Sequence, residues 1–360
     1  MLPAIRGIQA GREYYVVMMP LKLVPRVFVF DEDELPARLR AQRSINRTRV
    51  PEIARYLVGN PRDYVFSSIT ASVDGEMVFT PQPSPESNVG LLQIPMESRI
   101  IINDGQHRRA AIEEALVDAT ELGIETISVV LFQDAGLERC QQMFADLNRH
   151  AIRPTKSLGI LYDYRDEFSR LALDVVDGVP LFKAYTDLEK TNISNRSTKA
   201  FTLNAIYTST RILLNKAHKG AKADPKDAAT SIAYWRAVAD SIAEWRQLHE
   251  KRVSAAELRK EYVHAHAMAL QALGLAGASL LTLHPKDWKQ RLHRLQSLDW
   301  SRSNHKMWEG RAMVAGTMSK RQEHVQLTAI AIKRALGLPL TGDEEALDQG
   351  LTRPREVLRG

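Results

Sequence analysis

The first half of the chain alternates between short runs of apolar residues and stripes at helical spacing. The spacing predicts strands at Tyr14–Met19, Arg26–Phe30 and Thr126–Phe132, and a helix at Val50–Val58. Val65–Val73 and Glu76–Thr80 are predicted to pair as a hairpin around Asp74-Gly75, since Asp-Gly favours tight turns. Because a hairpin requires antiparallel pairing, a mixed sheet is expected here, not a doubly wound parallel one.

From about Thr155 onward the apolar positions recur mainly at helical spacing. Helices are predicted over residues 157–176, 199–216, 228–252, 255–283, 285–298 and 320–336. Two polar or basic spans, Pro180–Ser197 and Asp299–Thr317, are predicted as loops. The fold class is therefore α+β, with a mixed-sheet domain at residues 1–154 and a mostly helical domain at residues 155–360.

Five residues connect a predicted strand to a predicted helix, namely Asp104-Gly105-Gln106-His107-Arg108. The strand covers residues 99–103, and a helix over residues 109–116 follows. Asp104 is expected to cap the helix, and Gly105 to adopt a backbone conformation that other residues resist. Arg108 and Arg109 oppose the helix dipole unless an anion such as phosphate binds there. The alternative is that Arg108 pairs with a carboxylate elsewhere and His107 is an ordinary polar side chain.

Two further segments contain side chains suited to phosphate. Asn148 ends the predicted helix at 137–149, and Asn195 and Arg196 precede the predicted helix at 199–216. Either segment could reach the corner, although Asn148 and Asn195 alone are also typical of helix ends. The predicted phosphate- or nucleotide-binding residues are Asp104, Gly105, Gln106, His107, Arg108, Arg109, Asn148, Asn195 and Arg196.

Positive charge is concentrated in two stretches of a chain whose formal net charge is +6. Residues 35–62 contain seven arginines against one acid, Glu52, and residues 190–223 contain no acid. Each stretch alone is typical of a solvated face, but the two together favour contact with a phosphate backbone. The predicted DNA contacts are Arg43, Arg47, Arg49, Lys190, Arg196, Lys199, Lys216, Lys219 and Lys222.

Composition excludes several other classes of protein. The single cysteine, Cys140, excludes an internal disulfide and cysteine-rich metal sites, and its place on an apolar stripe indicates a buried thiol. His264 and His266 are two residues apart, which does not suit a helical metal pair, so no metal is expected. There is no long apolar run and no apolar signal core, so a cytoplasmic location without membrane contact is expected.

Several segments together carry a resemblance to a known family. They are Arg6–Tyr15, Asn46–Ala54, the corner at Asp104–Arg108, Phe144–Asn148 and Ser194–Ser197. Over nearly the whole chain they resemble the DndB family, DGQHR-domain proteins of DNA phosphorothioation gene clusters. The resemblance implies a DNA-binding repressor of the operon for DNA sulfur modification, which limits backbone sulfuration.

The resemblance also implies a core similar to the ParB/sulfiredoxin superfamily. In those relatives a glycine-containing motif that ends in arginine, at a helix start, holds nucleotide phosphates, and Gly105 and Arg108 match it. No cysteine lies in or beside the motif, so sulfur chemistry by this chain is not expected.

The sequence supports two candidate functions. The leading one is a regulator that binds double-stranded DNA at its own operon promoter. The alternative is a nucleotide-binding or nucleotide-hydrolysing accessory subunit, with ATP or CTP as candidate ligands and Asp104, His107 and Arg108 as its catalytic residues. Contacts with other DNA sulfur modification proteins, or between copies of this chain, stay open. The amphipathic span Tyr234–Trp245 would suit such a partner or the protein's own core.

Overall fold

The computed structural model describes residues 1–28, 48–133, 142–143, 146–147 and 154–352. The chain divides into two compact units, Met1–Ile152 and Arg153–Gly360. The first contains a mixed sheet with helices, and the second is largely helical. The predicted α+β fold class is therefore confirmed. None of the helices in the described ranges has the length and apolar character needed to cross a bilayer.

The described part of the first unit has one seven-stranded sheet with three helices beside it. Its strands are β1 (Leu2–Gln9), β2 (Arg12–Pro20), β3 (Ile69–Val73), β4 (Val78–Pro81), β5 (Val89–Gln93), β6 (Ile100–Asp104) and β7 (Thr126–Gln133). Its helices are α1 (Val24–Val27), α2 (Val50–Gly59) and α3 (Gln106–Asp118). The sheet order is β4-β5-β1-β2-β7-β3-β6, in which β3 and β7 are parallel and the other pairs antiparallel.

Alternate residues along the strands are buried, so one face of this sheet forms the core of the unit. In β2 the alternate residues Tyr15, Val17 and Met19 are buried, while β3 is buried along its whole length. Helix α2 buries Val50 and Leu57 at helical spacing and packs against α3. The core thus fixes the ends of β3 and β6, where the Asp104–Arg108 corner begins.

Two predictions for the first unit are wrong. Arg26 and Val27 are helical instead of extended, because Pro25 suits the first turn of α1, and Val24 and Phe28 are buried one turn apart; residues 29 and 30 lie outside the described ranges. The hairpin around Asp74-Gly75 does not form. Asp74 Oδ1 accepts the backbone N–H of Arg99 at 2.5 Å, which leads β3 to β6, while β4 pairs with β5.

The second unit is built from helices and two small two-stranded ladders. The helices are α4 (Lys156–Tyr162), α5 (Glu167–Gly178), α6 (Pro180–Tyr185), α7 (Leu203–Leu213), α8 (Asp227–Ser241), α9 (Ala243–His249), α10 (Ala255–Glu261), α11 (Ala267–Leu280), α12 (Pro285–Leu292), α13 (His305–Trp308), α14 (Gln322–Leu336) and α15 (Gly342–Thr352). The ladders are β8 (Thr186–Asp187) with β9 (Phe201–Thr202), parallel, and β10 (Met313–Val314) with β11 (Thr317–Met318), antiparallel.

Several predicted long helices are divided into shorter ones in the structure. The predicted helix at 157–176 ends at Tyr162 and restarts as α5, whose first turn is capped by the side chain of Asp166. Residues 262–266 interrupt the predicted helix at 255–283. The loop predicted at Pro180–Ser197 contains α6, because Pro180 suits a helix start.

Aromatic side chains dominate the core of the helical unit, which contains all five tryptophans of the chain. Trp245 is fully buried, contacts Phe201 edge to face with ring centroids 5.1 Å apart, and donates its Nε1–H to His264 Nδ1 at 3.0 Å. Burial lowers the pKa of His264, so its ring is neutral and can accept that bond. Because Tyr234, Trp235 and Trp245 are all buried, the amphipathic span at 234–245 is core.

Candidate functional site

The corner at Asp104–Arg108 depends on a glycine. Strand β6 ends at Asp104, opposite Thr70 of β3, and Gly105 is the N-cap of α3 with φ +118°. A Cβ on Gly105 would lie 3.0 Å from Ile69 Cγ1 and 3.2 Å from Arg108 Nη2. Both the backbone angle and the available space therefore require glycine, which confirms the expected conformation at this position.

Arg108 is bonded inside the corner. Its Nη2 donates to the backbone oxygen of Ser68 at 3.0 Å and to Asp104 Oδ2 at 2.8 Å. The expected capping by Asp104 is wrong, because this carboxylate pairs with Arg108 one turn ahead and α3 has no side-chain cap. The N-cap residue, Gly105, makes no side-chain cap, and the first amides of α3 have no acceptor within the helix itself. Arg108 Nε is buried and has no hydrogen-bond partner among the described residues.

Arg109 connects α1 with α3 within the first unit. Its Nε donates to the Phe28 backbone oxygen and its Nη2 to that of Pro25, both at 3.0 Å. Its Nη1 pairs with Glu113, one turn further along α3. Only 13% of the Arg109 side chain is exposed. Its bonds link α1 to α3, and the carboxylate of Glu113 compensates for a cation at the positive end of the helix dipole. Arg109 therefore has a complete structural role without an anion.

The middle of the motif is less exposed than its polarity suggests. Gln106 is buried, and its Nε2 donates to the backbone oxygens of Ile102 at 3.1 Å and Asn103 at 3.3 Å. His107 is half-buried. The corner therefore combines an uncapped helix start with one arginine whose donors are partly used.

The other predicted phosphate residues do not belong to the described corner. Asn148 lies outside the described residues, as do Arg43 and Arg47 of the predicted DNA contacts. Asn195 and Arg196 are exposed and lie in the loop before β9, within the second unit. Arg259 fixes this loop, because its Nη2 donates to the backbone oxygens of Ser194 at 2.8 Å and Ser197 at 3.1 Å, and its Nη1 to that of Lys199.

Arg259 is a residue that the sequence did not single out. It lies in the last turn of α10, about 60 residues from the loop that it holds. An arginine in a last helical turn is typical of dipole complementarity, so nothing local indicates its long-range bonds. A contact of this kind follows only from the folded chain.

The basic residues of the second stretch divide into two groups. Lys190, Arg196, Lys219 and Lys222 are exposed, and so is Arg49 at the start of α2. In contrast, Lys199 Nζ donates to the Ala184 backbone oxygen at 2.8 Å, and Lys216 Nζ lies 2.5 Å from Asp224 Oδ2 and 2.6 Å from Asp227 Oδ2. The acids that neutralise Lys216 lie just beyond the acid-free run at 190–223.

The two histidines noted in the sequence have separate partners. His264 is fully buried beside Trp245, whereas His266 Nε2 donates to the backbone oxygen of Arg259 at 2.9 Å. Within the part of the chain that the structure covers, no group of three or more His, Cys, Asp or Glu side chains is arranged to hold a metal ion.

These features define a two-unit protein with a mixed sheet, a glycine-dependent strand-to-helix corner and a helical unit with exposed basic loops. Residues 2–339 match the family model DndB, described as DNA-sulfur modification-associated. The chain therefore belongs to the DndB family, which indicates involvement in DNA sulfur modification systems. Comparison with curated proteins and with solved structures gave no match. The likeness to the ParB/sulfiredoxin superfamily stays a prediction.

Proposed function

We propose that this protein is a regulator that binds double-stranded DNA and represses transcription of the operon for DNA sulfur modification. The observation that carries the proposal is family membership, together with exposed cations on two loops of the helical unit. Lys190, Arg196, Lys219 and Lys222 form no ion pair with any residue that the structure describes. Their charges are thus available to phosphate, and repression would limit backbone sulfuration.

The exposed cations predict the form of the binding curve. Each lysine or arginine that neutralises a DNA phosphate releases counterions, so the logarithm of the affinity falls with the logarithm of salt concentration by about 0.9 per contact. Lys199 and Lys216 contribute less to this slope, since their ammonium groups already have internal partners. Arg49 supplies a further candidate contact from the first unit.

Replacing Lys219 and Lys222 with glutamine is expected to weaken binding to a fragment of the operon's promoter and to reduce the salt slope by roughly 1.8, for two lost contacts. The measurement is fluorescence anisotropy of labelled DNA across a salt series. Glutamines at Lys251 and Lys306, two exposed lysines outside the proposed contacts, make the charge-matched control. A flat salt response in the wild type, or equal losses in both double variants, contradicts the proposal.

A second candidate function is supported by the corner itself. Gly105 provides no side-chain cap for α3, and Arg108 Nε has no partner among the described residues. Backbone N–H groups at a helix start and a guanidinium N–H are donors suited to a phosphate. We propose nucleotide binding there as the alternative, with ATP or CTP as ligand. If hydrolysis follows, Asp104 or His107 would act as general base while Arg108 holds the phosphate.

Titration of ATP and CTP tests this alternative. Arg108→Ala is expected to weaken nucleotide binding at the corner by about tenfold or more, the usual effect of losing a charged hydrogen-bond donor. Arg99→Ala is the matched control, because Arg99 is exposed and precedes the same strand, β6. Equal affinities in the wild type and Arg108→Ala, or no binding to either, would remove the alternative.

A further inference from the structure

The helical unit contains a cavity of about 870 Å³ with mixed polar and apolar walls, a volume within the range of small-molecule sites. Its wall is formed by the loop at residues 191–195, the starts of α7 and α11, the end of α10, and two cations from later in the chain, Arg302 and Lys320. Every one of these elements belongs to the second unit. The cavity is therefore distinct from the Asp104–Arg108 corner.

Electrostatics make this cavity attractive to anions. Four cations line it, Arg259, Lys260, Arg302 and Lys320, against two acids, Glu257 and Glu261. Lys260 pairs with Glu261 where both side chains are largely exposed, whereas Lys320 Nζ has no partner within the described ranges. Helix α11 directs its positive end to the cavity and has no side-chain cap. Burial lowers the pKa of His266 to about 4, so this ring is neutral at pH 7.

Two buried polar atoms on lining residues lack partners among the residues described. Arg302 donates Nη1 to the Lys260 backbone oxygen and Nη2 to that of Gly316, both at 3.0 Å, but its Nε is unpaired. Thr191 Oγ1 is also buried and unpaired. Buried polar groups are almost always hydrogen-bonded, so these two lining residues each retain a polar atom that no described residue satisfies.

The loop over this cavity is attached to the cavity wall. Arg259 lines the cavity and bonds the backbone oxygens of Ser194, Ser197 and Lys199, while Asn195 of the same loop lines the cavity. The loop also presents the exposed side chain of Arg196. A ligand in the cavity would therefore contact both the loop and the arginine that fixes it.

We propose that this cavity binds a phosphorylated small molecule of nucleotide size, with Arg302, Lys320 and Thr191 at its phosphate. Binding fixes the loop at 191–199 and so alters the affinity for DNA; this second part rests on the proposed function. A small molecule fits the observations better than the DNA backbone, because the unpaired atoms of Arg302 and Thr191 are buried and do not lie on the exposed surface that a duplex would contact.

Isothermal calorimetry of the full chain with pyrophosphate and with ATP, at constant ionic strength, tests the site. Lys320→Ala is expected to weaken binding about tenfold, and Thr191→Val several-fold, by loss of charge-assisted hydrogen bonds. Lys306→Ala is the matched control, since Lys306 is exposed and does not line the cavity. Absence of binding at millimolar ligand, or equal binding in Lys320→Ala, overturns the site.

Anisotropy of labelled promoter DNA with and without saturating ATP tests the coupling. A change of several-fold in DNA affinity in the wild type, absent in Lys320→Ala, is the expected result. If calorimetry detects the ligand but DNA affinity does not change, the coupling is wrong and the site stands. If no condition gives DNA binding, the proposed function and the coupling both fail, while calorimetry decides the site. A Lys320→Ala variant that loses DNA affinity but still binds ATP normally identifies the cavity rim as a DNA contact and overturns the proposal.

Discussion

Replacing Trp245 with alanine is expected to lower the free energy of unfolding of the helical unit by about 3–5 kcal/mol, the usual cost of removing a fully buried tryptophan. The indole fills space among Phe182, Phe201 and His264, so the variant leaves a cavity in the aromatic core. It also removes the donor to His264 Nδ1, which is buried and has Trp245 as its partner at 3.0 Å.

Trp245→Phe separates these two contributions. Phenylalanine keeps much of the ring packing but lacks the N–H, so we expect a loss of roughly 1–3 kcal/mol, mainly from the unsatisfied His264 nitrogen. Tyr164→Ala is the exposed control, with 73% of its residue surface accessible, and should change stability by less than about 0.5 kcal/mol. Urea denaturation followed by circular dichroism provides the measurement. A loss below about 1 kcal/mol for Trp245→Ala contradicts the description of this core.

The second large effect is expected at Gly105. Alanine there must adopt a φ of +118°, and its Cβ would meet the side chain of Ile69 at 3.0 Å. A positive φ costs an L-residue about 1–2 kcal/mol, and overpacking a buried position about 1–3 kcal/mol. Gly105→Ala should therefore destabilise the first unit by roughly 2–5 kcal/mol and disturb the start of α3.

Two other glycines make a graded control series. Gly11 has φ +73°, but a Cβ at this position would meet nothing within 4 Å, so Gly11→Ala should cost only the backbone strain, about 1–2 kcal/mol. Gly59, the last residue of α2, has neither strain nor contact, and its alanine variant should be neutral or slightly stabilising. Hydrogen exchange read by mass spectrometry should show faster exchange in β3, β6 and α3 for Gly105→Ala. Equal behaviour of the Gly105 and Gly11 variants would show that the contact with Ile69 is unimportant.

The fold was predictable where local signals dominate. Apolar spacing identified α2 and β7, which each bury one face, and it also identified the strand and helix that flank Gly105. Strand pairing was not predictable from the Asp74-Gly75 signal. The Asp74 carboxylate bonds the backbone of Arg99, 25 residues away, and this long-range bond selects β6 as the partner of β3.

At the candidate site, too, the sequence indicated local features but not long-range contacts. The sequence identified a helix start rich in cations, yet it could not show that the carbonyls of Pro25 and Phe28 accept the donors of Arg109. Charge counting also treated Lys216 as free, although Asp224 and Asp227 bind it. Net charge in a window therefore overstates the cations available to a ligand when acids follow just outside the window.

Confinement of every tryptophan to the helical unit has a practical spectroscopic consequence. Indole emission is an intrinsic label of that unit alone, whereas far-ultraviolet dichroism sums the signals of both units. Denaturation curves recorded with the two probes will coincide if the units unfold together and separate if they do not. Separate midpoints would therefore show that the unit that contains Gly105 and the unit that contains Trp245 do not unfold in a single two-state transition.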